Sequence, residues 1–148
     1  MSRIPRFQEH LKTGFTAEAA SAARYRAYAA HAEREGLPNL ARRWLRLAAA
    51  KDALAIALLT AAGQARGTDT EVAESLSEER YENDILYPKM IRDVDETTAD
   101  VFLQVINAQK EHLQELEKLR RALNAFKGDV ELPAEVDQGV HGSQAAVR

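Results

Sequence analysis

The sequence predicts an all-α protein built as a four-helix bundle, and three observations lead to that fold class. Apolar residues recur at steps of three and four along four long segments, no segment shows the alternation typical of a β-strand, and the breaks between segments contain Gly, Pro and Asp. The chain has 148 residues, 45% of them hydrophobic, which is enough for one domain with its own core. We therefore expect a single bundle domain over residues 1–127.

The predicted helices have recognisable ends. Gly36 is expected to end the first helix, and Pro38 to begin the second. Thr97 or Thr98 is expected to cap the last helix. The predicted helices cover about residues 6–35, 38–62, 71–94 and 99–127.

The connection over residues 63–70 is the longest of the three and holds two glycines and the cap candidates Thr68, Asp69 and Thr70. A long crossover between the second and third helices is typical of ferritin-like bundles rather than plain up-and-down bundles. After Gly128 the helical periodicity stops, and residues 128–148 are predicted to form a mobile acidic tail.

Composition excludes several classes of protein. The chain has no cysteine, which excludes a disulfide scaffold, a thiol nucleophile and a Cys-ligated metal centre. The longest apolar stretch, residues 53–62, is about half of a membrane span, and no secretory signal is visible, so we expect a cytoplasmic protein without membrane attachment. The net charge is −3, and the small basic excess of the first half does not predict nucleic-acid binding.

Polar residues interrupt the apolar stripe near the middle of every predicted helix. A buried charge is destabilising unless it is paired or bound to a metal. Because the interruptions lie at similar depth on four helices, we expect them to meet in one polar cluster. They are Glu18, Lys51, Glu79 with Glu82, and Gln109 with His112.

These positions partly match the ligand pattern of di-metal carboxylate proteins with a ferritin-like fold. In that pattern two helices supply one Glu each and the other two supply Glu-x-x-His, whose members share one helix face. Glu18, Glu79 and His112 stand at ligand positions of the pattern. The other three positions hold different residues, namely Lys51, Leu54 and Gln109.

The chain also resembles rubrerythrins over about residues 8–125. The resemblance implies a non-haem di-iron site in a ferritin-like bundle, usually dimeric, that reduces hydrogen peroxide. It implies metal ligands at Glu18, Glu79, Glu82 and His112, with tyrosines beside the irons at Tyr25 and Tyr87. The motifs that carry it are Phe15-Thr-Ala-Glu18 with Tyr25, Glu79-Arg-Tyr-Glu82 leading to Tyr87-Pro88, and Ala108-Gln-Lys-Glu-His112.

The departures from the rubrerythrin pattern change the expected chemistry. Lys51 and Gln109 stand where bridging glutamates belong, and Leu54 stands where a histidine belongs. The rubredoxin-like tail with its Cys-x-x-Cys iron site is also missing, so an active protein would need a separate electron donor. We expect the Lys51 ammonium to replace the cationic centre, which argues against two irons. A single Fe, Mn or Zn ion on Glu79, Glu82 and His112, with Gln109 as a weak ligand, stays open.

The orientation of the second helix leaves one alternative. Asp52 lies about 100° from Lys51 around the helix, on a second apolar strip with Leu45, Ala48, Ile56 and Leu59. A rotated helix would bury Asp52 and leave Lys51 at the edge. The second strip itself is either additional core or the face of a homodimer.

Two functions are consistent with these residues. One is a rubrerythrin-like protein that has lost most of its redox site and persists as a structural, interaction or stress-associated bundle. The other is a rubrerythrin-type oxidoreductase with a depleted, mononuclear metal centre that acts on peroxide or ferrous iron.

Overall fold

The computed structural model of the chain describes residues 6–64, 66–125 and 129–131. Within these residues all regular structure is helical, which confirms the predicted all-α class. The helices are α1 (Arg6–Arg34), α2 (Pro38–Ala61), α3 (Thr68–Tyr81), a π-helical turn (Glu82–Leu86), α4 (Tyr87–Ile91) and α5 (Glu96–Ala125).

No helix among the described residues is both long and apolar enough to cross a membrane. Of the predicted tail, only residues 129–131 are described, and they have no regular secondary structure. The rest of that prediction lies outside the described residues. The helical residues fall into two compact units, Met1–Arg66 and Gly67–Arg148.

The turn between α1 and α2 has the hydrogen bonds of a Schellman motif. The Leu37 N–H donates to the Ala32 carbonyl at 2.8 Å, and the Gly36 N–H donates to the Glu33 carbonyl at 3.0 Å. Gly36 has a φ of 76°, a conformation that glycine adopts without steric cost. The predicted roles of Gly36 and Pro38 are therefore confirmed.

In the first unit α1 packs against α2 along a seam of buried alanines. Along α2 the buried alanines recur every seven residues, so they stay on one side of the helix. Small side chains let two helices approach closely. The buried alanines of the seam are Ala22, Ala29 and Ala32 of α1 and Ala41, Ala48 and Ala55 of α2.

The contact at the alanine seam buries only part of the predicted inward stripe of α2. The partly buried residues of that stripe each lie three residues after a buried alanine, and they are Trp44, Lys51 and Leu58. Leucines elsewhere on that predicted stripe are about half exposed, because the contact with α1 is centred on the alanines instead. These leucines are Leu40, Leu47 and Leu54.

In the second unit α5 packs against α3, α4 and the π turn, and Leu76 is the largest fully buried side chain described. Asp95 caps α5, where Thr97 or Thr98 was the predicted cap. The Thr98 N–H donates to Asp95 Oδ1 at 2.7 Å. This backbone hydrogen bond, followed by the one from the Thr98 side chain, holds the pKa of Asp95 below its ordinary value. A carboxylate caps a helix more effectively than a threonine hydroxyl, because its negative charge also interacts favourably with the positive end of the helix dipole.

The third predicted helix differs from expectation at its start and in its interior. It begins at Thr68 after Gly67, whose φ is 132°, so the predicted cap candidates lie in the first turn. Further along, the Tyr87 N–H bonds to the carbonyl of Glu82, five residues earlier, which defines the π turn. Pro88 follows at once and has no N–H to donate to an α-helical bond.

The π turn changes which residues face α5. An additional residue in one turn shifts the face of every later residue. Met90, predicted to point inward, is 39% exposed, whereas its neighbour Ile91 is partly buried. A prediction from the 3.6-residue period misses this shift, because it treats the whole segment as a regular α-helix.

We expect Ala48→Leu to lower the free energy of unfolding by about 1–3 kcal/mol, because the larger side chain forces α1 and α2 apart. Ala48 is 2% exposed and lies in the middle of the seam on α2. The matched control is Ala53→Leu, the same change at an exposed position of the same helix. Urea unfolding followed by circular dichroism measures both variants. Equal stability of the two variants would contradict the role given to the seam.

Candidate functional site

In the first unit Glu18 and Lys51 form an ion pair across the alanine seam. Lys51 Nζ lies 2.8 Å from Glu18 Oε2, and the two side chains are 30% and 24% exposed. Glu18 lies four residues before Ala22, and Lys51 lies three residues after Ala48, so the close packing of the helices brings both side chains together. The hydrogen bond with Glu18 raises the pKa of Lys51 above its ordinary value, and the Glu18 charge adds to the effect.

Aromatic rings lie on the same two helices as the ion pair. The ring centroids of Tyr25 and Trp44 are 5.1 Å apart, and those of Tyr28 and Trp44 are 5.2 Å apart. Trp44 also packs against the buried alanines of the seam. In the second unit, Tyr87 packs against Phe102 with a centroid distance of 5.7 Å. Both tyrosines that the resemblance pointed to are thus packed against other aromatic rings of their own units.

The sequence left open whether Lys51 or Asp52 of α2 lies on the inner side of the helix, and their contacts differ. Asp52 pairs with Arg26 at 2.7 Å, and both side chains are about half exposed. Lys51, rather than Asp52, is the α2 residue that contacts Glu18. The two ion pairs flank the alanine seam, one on each side. Leu54, one turn beyond Lys51, is 52% exposed.

In the second unit four of the predicted residues lie together. Gln109 Nε2 donates to Glu82 Oε2 at 2.7 Å, which links α5 to the π turn. His112 Nδ1 lies 3.6 Å from Glu79 Oε2, at the distance of a weak ion pair. The imidazole of His112 is 60% exposed, so it lies at the edge of the group. We call Glu79, Glu82, Gln109 and His112, together with Asn83, the α3–α5 cluster.

Asn83 is the residue of this cluster that the sequence pattern did not single out. It is 7% exposed, and its Oδ1 makes no hydrogen bond to any described residue. The same holds for the buried Gln109 Oε1 and Glu79 Oε2. Asn83 lies seven residues after the buried Leu76, and that spacing was the available signal. Buried acceptors without a partner are costly, by about 1–3 kcal/mol each.

Neither unit contains, within its described residues, the full ligand set that the resemblance requires for a di-iron centre. Its bridging carboxylates would have to occupy positions that hold Lys51 and Gln109, and Gln109 donates an N–H to a carboxylate rather than supplying one. Lys51 places a positive charge on Glu18, where a metal would be repelled. Among the described residues, no group of three or more His, Asp or Glu side chains is arranged to hold a metal ion.

The fold and these contacts define an all-α protein with polar groups inside each of its helical units. No protein family model matches the chain, and no curated protein matches it either. The similarity to rubrerythrins therefore depends on the motifs around Glu18, Glu79 and His112.

We expect Lys51→Met to destabilise the protein, because it leaves the partly buried Glu18 carboxylate without a cation. Adding Glu18→Gln should recover part of the loss, since a neutral amide needs no counterion. A double-mutant cycle in urea at pH 7 measures the coupling. The half-exposed Arg26–Asp52 pair is the control, with an expected coupling of about 0.2–1 kcal/mol. A coupling of Lys51 and Glu18 no larger than the control would contradict their partly buried pairing.

The same pair has a defined pH dependence. Because folding raises the pKa of Lys51, its contribution is fully present below the ordinary lysine value of 10.5 and is lost as the pH rises through the folded value. The stability difference between wild type and Lys51→Met should therefore be constant from pH 7 to 9 and shrink at higher pH.

Proposed function

We propose that the chain is a rubrerythrin-like protein with a ferritin-like fold that has exchanged di-iron chemistry for a charge cluster. In this proposal it is a cytoplasmic structural or interaction protein, metal-poor or metal-free, in an oxidative-stress or iron context. The observation that carries the proposal is the 2.8 Å ion pair of Lys51 with Glu18.

The physical argument concerns the charge of Glu18. A carboxylate on the inner side of a helix pair needs a compensating cation, which in a metalloprotein is the metal. Here the compensating charge is a covalently attached ammonium. Since the pKa of Lys51 is raised by its bond with Glu18, the ammonium stays protonated throughout the physiological range. Such a site neither needs nor favours a second cation.

The finer architecture in this proposal is the ferritin-like four-helix bundle with its long crossover between α2 and α3, assembled as a homodimer. The apolar side chains that remain about half exposed support it. Helices with this much apolar surface normally have further helices packed against them. Examples are Leu40, Leu47, Leu54 and Ile56 of α2 and Val101 and Leu103 of α5.

The constructive test is the triple variant Lys51→Glu, Leu54→His, Gln109→Glu, which restores the three missing ligands. After anaerobic loading with Fe(II), we expect it to hold two irons per chain, whereas the parent holds no stoichiometric iron. Elemental analysis and the near-ultraviolet absorption of an oxo-bridged iron pair measure the result. The control carries comparable changes away from the predicted polar cluster, Arg46→Glu, Leu47→His and Gln104→Glu.

The outcomes of this experiment are distinct. Iron in the triple variant alone supports the loss of an ancestral-type di-iron site. Two tightly bound irons in the parent, with peroxide reduction, would overturn the proposal. Equal iron in the triple variant and its control would show that the altered positions do not form one site.

A second candidate function is a rubrerythrin-type oxidoreductase with a single metal ion. The observation that favours it is the α3–α5 cluster, where buried oxygens of Glu79 and Gln109, near Glu82 and His112, make no hydrogen bond to any residue that the structure describes. Carboxylates with one imidazole suit Fe, Mn or Zn. A bound iron would supply redox chemistry toward peroxide, and a separate protein would have to supply the electrons.

For this second candidate we expect His112→Phe to weaken Fe(II) binding by at least about tenfold, because it removes the only nitrogen ligand. His10→Phe, at an exposed position of α1, is the matched control. Anaerobic Fe(II) titration and peroxide consumption measure the two variants. Equal Fe(II) affinity in both variants would exclude His112 as a ligand.

A further inference from the structure

A cleft of about 220 Å³ lies in the second unit, between the first turns of α3 and the last turns of α5. Asp69, at one side of it, is ten residues from Glu79, or about 15 Å along the helix, so the cleft is separate from the α3–α5 cluster. Its lining residues are spaced by one, three and four along each helix, as residues that share one helix face are. They are Asp69, Val72 and Ala73 of α3 and Arg120, Leu123 and Asn124 of α5, and we call the site the Asp69–Arg120 cleft.

Opposite charges line this cleft without neutralising each other. Asp69 lies in the first turn of α3, where the helix dipole favours a negative charge, and the guanidinium of Arg120 is positive. Neither side chain forms an ion pair or a hydrogen bond with any residue that the structure describes. A carboxylate and a guanidinium are therefore both available to a ligand that enters between the two helices.

The rest of the lining indicates the size and character of that ligand. Val72 and Leu123 are partly buried, and each lies three residues after the charged residue of its own helix. Asn124 adds an amide that can both donate and accept a hydrogen bond. The volume is below the range of about 300–1,000 Å³ that is usual for pockets of drug-sized ligands. The cleft thus fits a small molecule with an aliphatic body and polar ends.

We propose that the Asp69–Arg120 cleft binds a small zwitterion, an amino acid whose carboxylate pairs with Arg120 and whose ammonium pairs with Asp69. A guanidinium can hold a carboxylate through two parallel hydrogen bonds. A zwitterion satisfies both charges of the cleft, whereas a simple anion or cation would be repelled by one of them. The aliphatic carbons would contact Val72 and Leu123. The inference uses residues of the second unit alone and does not rest on the proposed loss of di-iron chemistry.

The test titrates the isotope-labelled full chain with amino acids and follows the amide chemical shifts by NMR. Valine and δ-aminovalerate are the two probes, because α- and ω-amino acids share the zwitterionic chemistry and differ in the distance between their charges. N-acetylvaline lacks the ammonium and valinamide lacks the carboxylate. We expect saturable shifts at residues 69–73 and 120–124, with dissociation constants in the millimolar range because the ligands have few atoms.

Each charged residue should affect only the ligand group with which it pairs. Arg120→Gln should weaken the binding of both amino acids about tenfold, and it should not weaken that of valinamide, which has no carboxylate. Asp69→Asn should weaken the binding of both amino acids similarly, but not that of N-acetylvaline. Arg121→Gln and Asp100→Asn, at exposed positions of α5 outside the cleft, are the matched controls.

The outcomes decide the proposal. Weaker binding of either amino acid in both Arg120→Gln and Asp69→Asn, with neither control altered, supports it, and the tighter ligand shows which charge separation the cleft fits. N-acetylvaline that binds as tightly as valine overturns it, since a carboxylate alone would then be sufficient. The absence of saturable shifts with both amino acids, or equal effects of the cleft variants and their controls, also overturns it.

Discussion

The close approach of α1 and α2 along their buried alanines governs the rest of the first unit. Because the contact is made by the smallest side chains, the larger residues that flank it are displaced to the edges. Lys51 and Glu18 lie at one edge and meet at 2.8 Å, and Arg26 and Asp52 lie at the other. The same geometry leaves leucines such as Leu47 half exposed. An alanine seam thus determines both the charge pairing and the apolar surface of α2.

The main feature of the second unit is the π turn between α3 and α4. The π turn ends just before Pro88, whose missing N–H leaves one helical hydrogen bond unmade in any conformation. Glu82, the first residue of that turn, accepts a hydrogen bond from Gln109 of α5, and Met90, beyond the turn, is 39% exposed. Single π turns inside α-helices are frequently found at functional sites. The position of this turn at the polar cluster agrees with that tendency.

The two units resolve the cost of buried polar groups differently. In the first, the Lys51 ammonium lies 2.8 Å from Glu18 Oε2 and balances its charge. In the second, the Gln109 amide donates to Glu82, while buried oxygens of Asn83 and Gln109 make no hydrogen bond to a described residue.

Periodicity and end signals in the sequence were sufficient for the all-α class, the main helices and the Gly36–Pro38 turn, because these depend on local backbone preferences. They also marked Glu18, Lys51, Glu79, Glu82, Gln109 and His112 as polar residues on apolar stripes. The pattern could not show which of these residues contact one another. The contact of Lys51 with Glu18 depends on the distance between two helices, and the hydrogen bond from Gln109 to Glu82 depends on how α5 packs against the π turn. Both are properties of packing between segments distant in sequence, which a one-dimensional pattern does not contain.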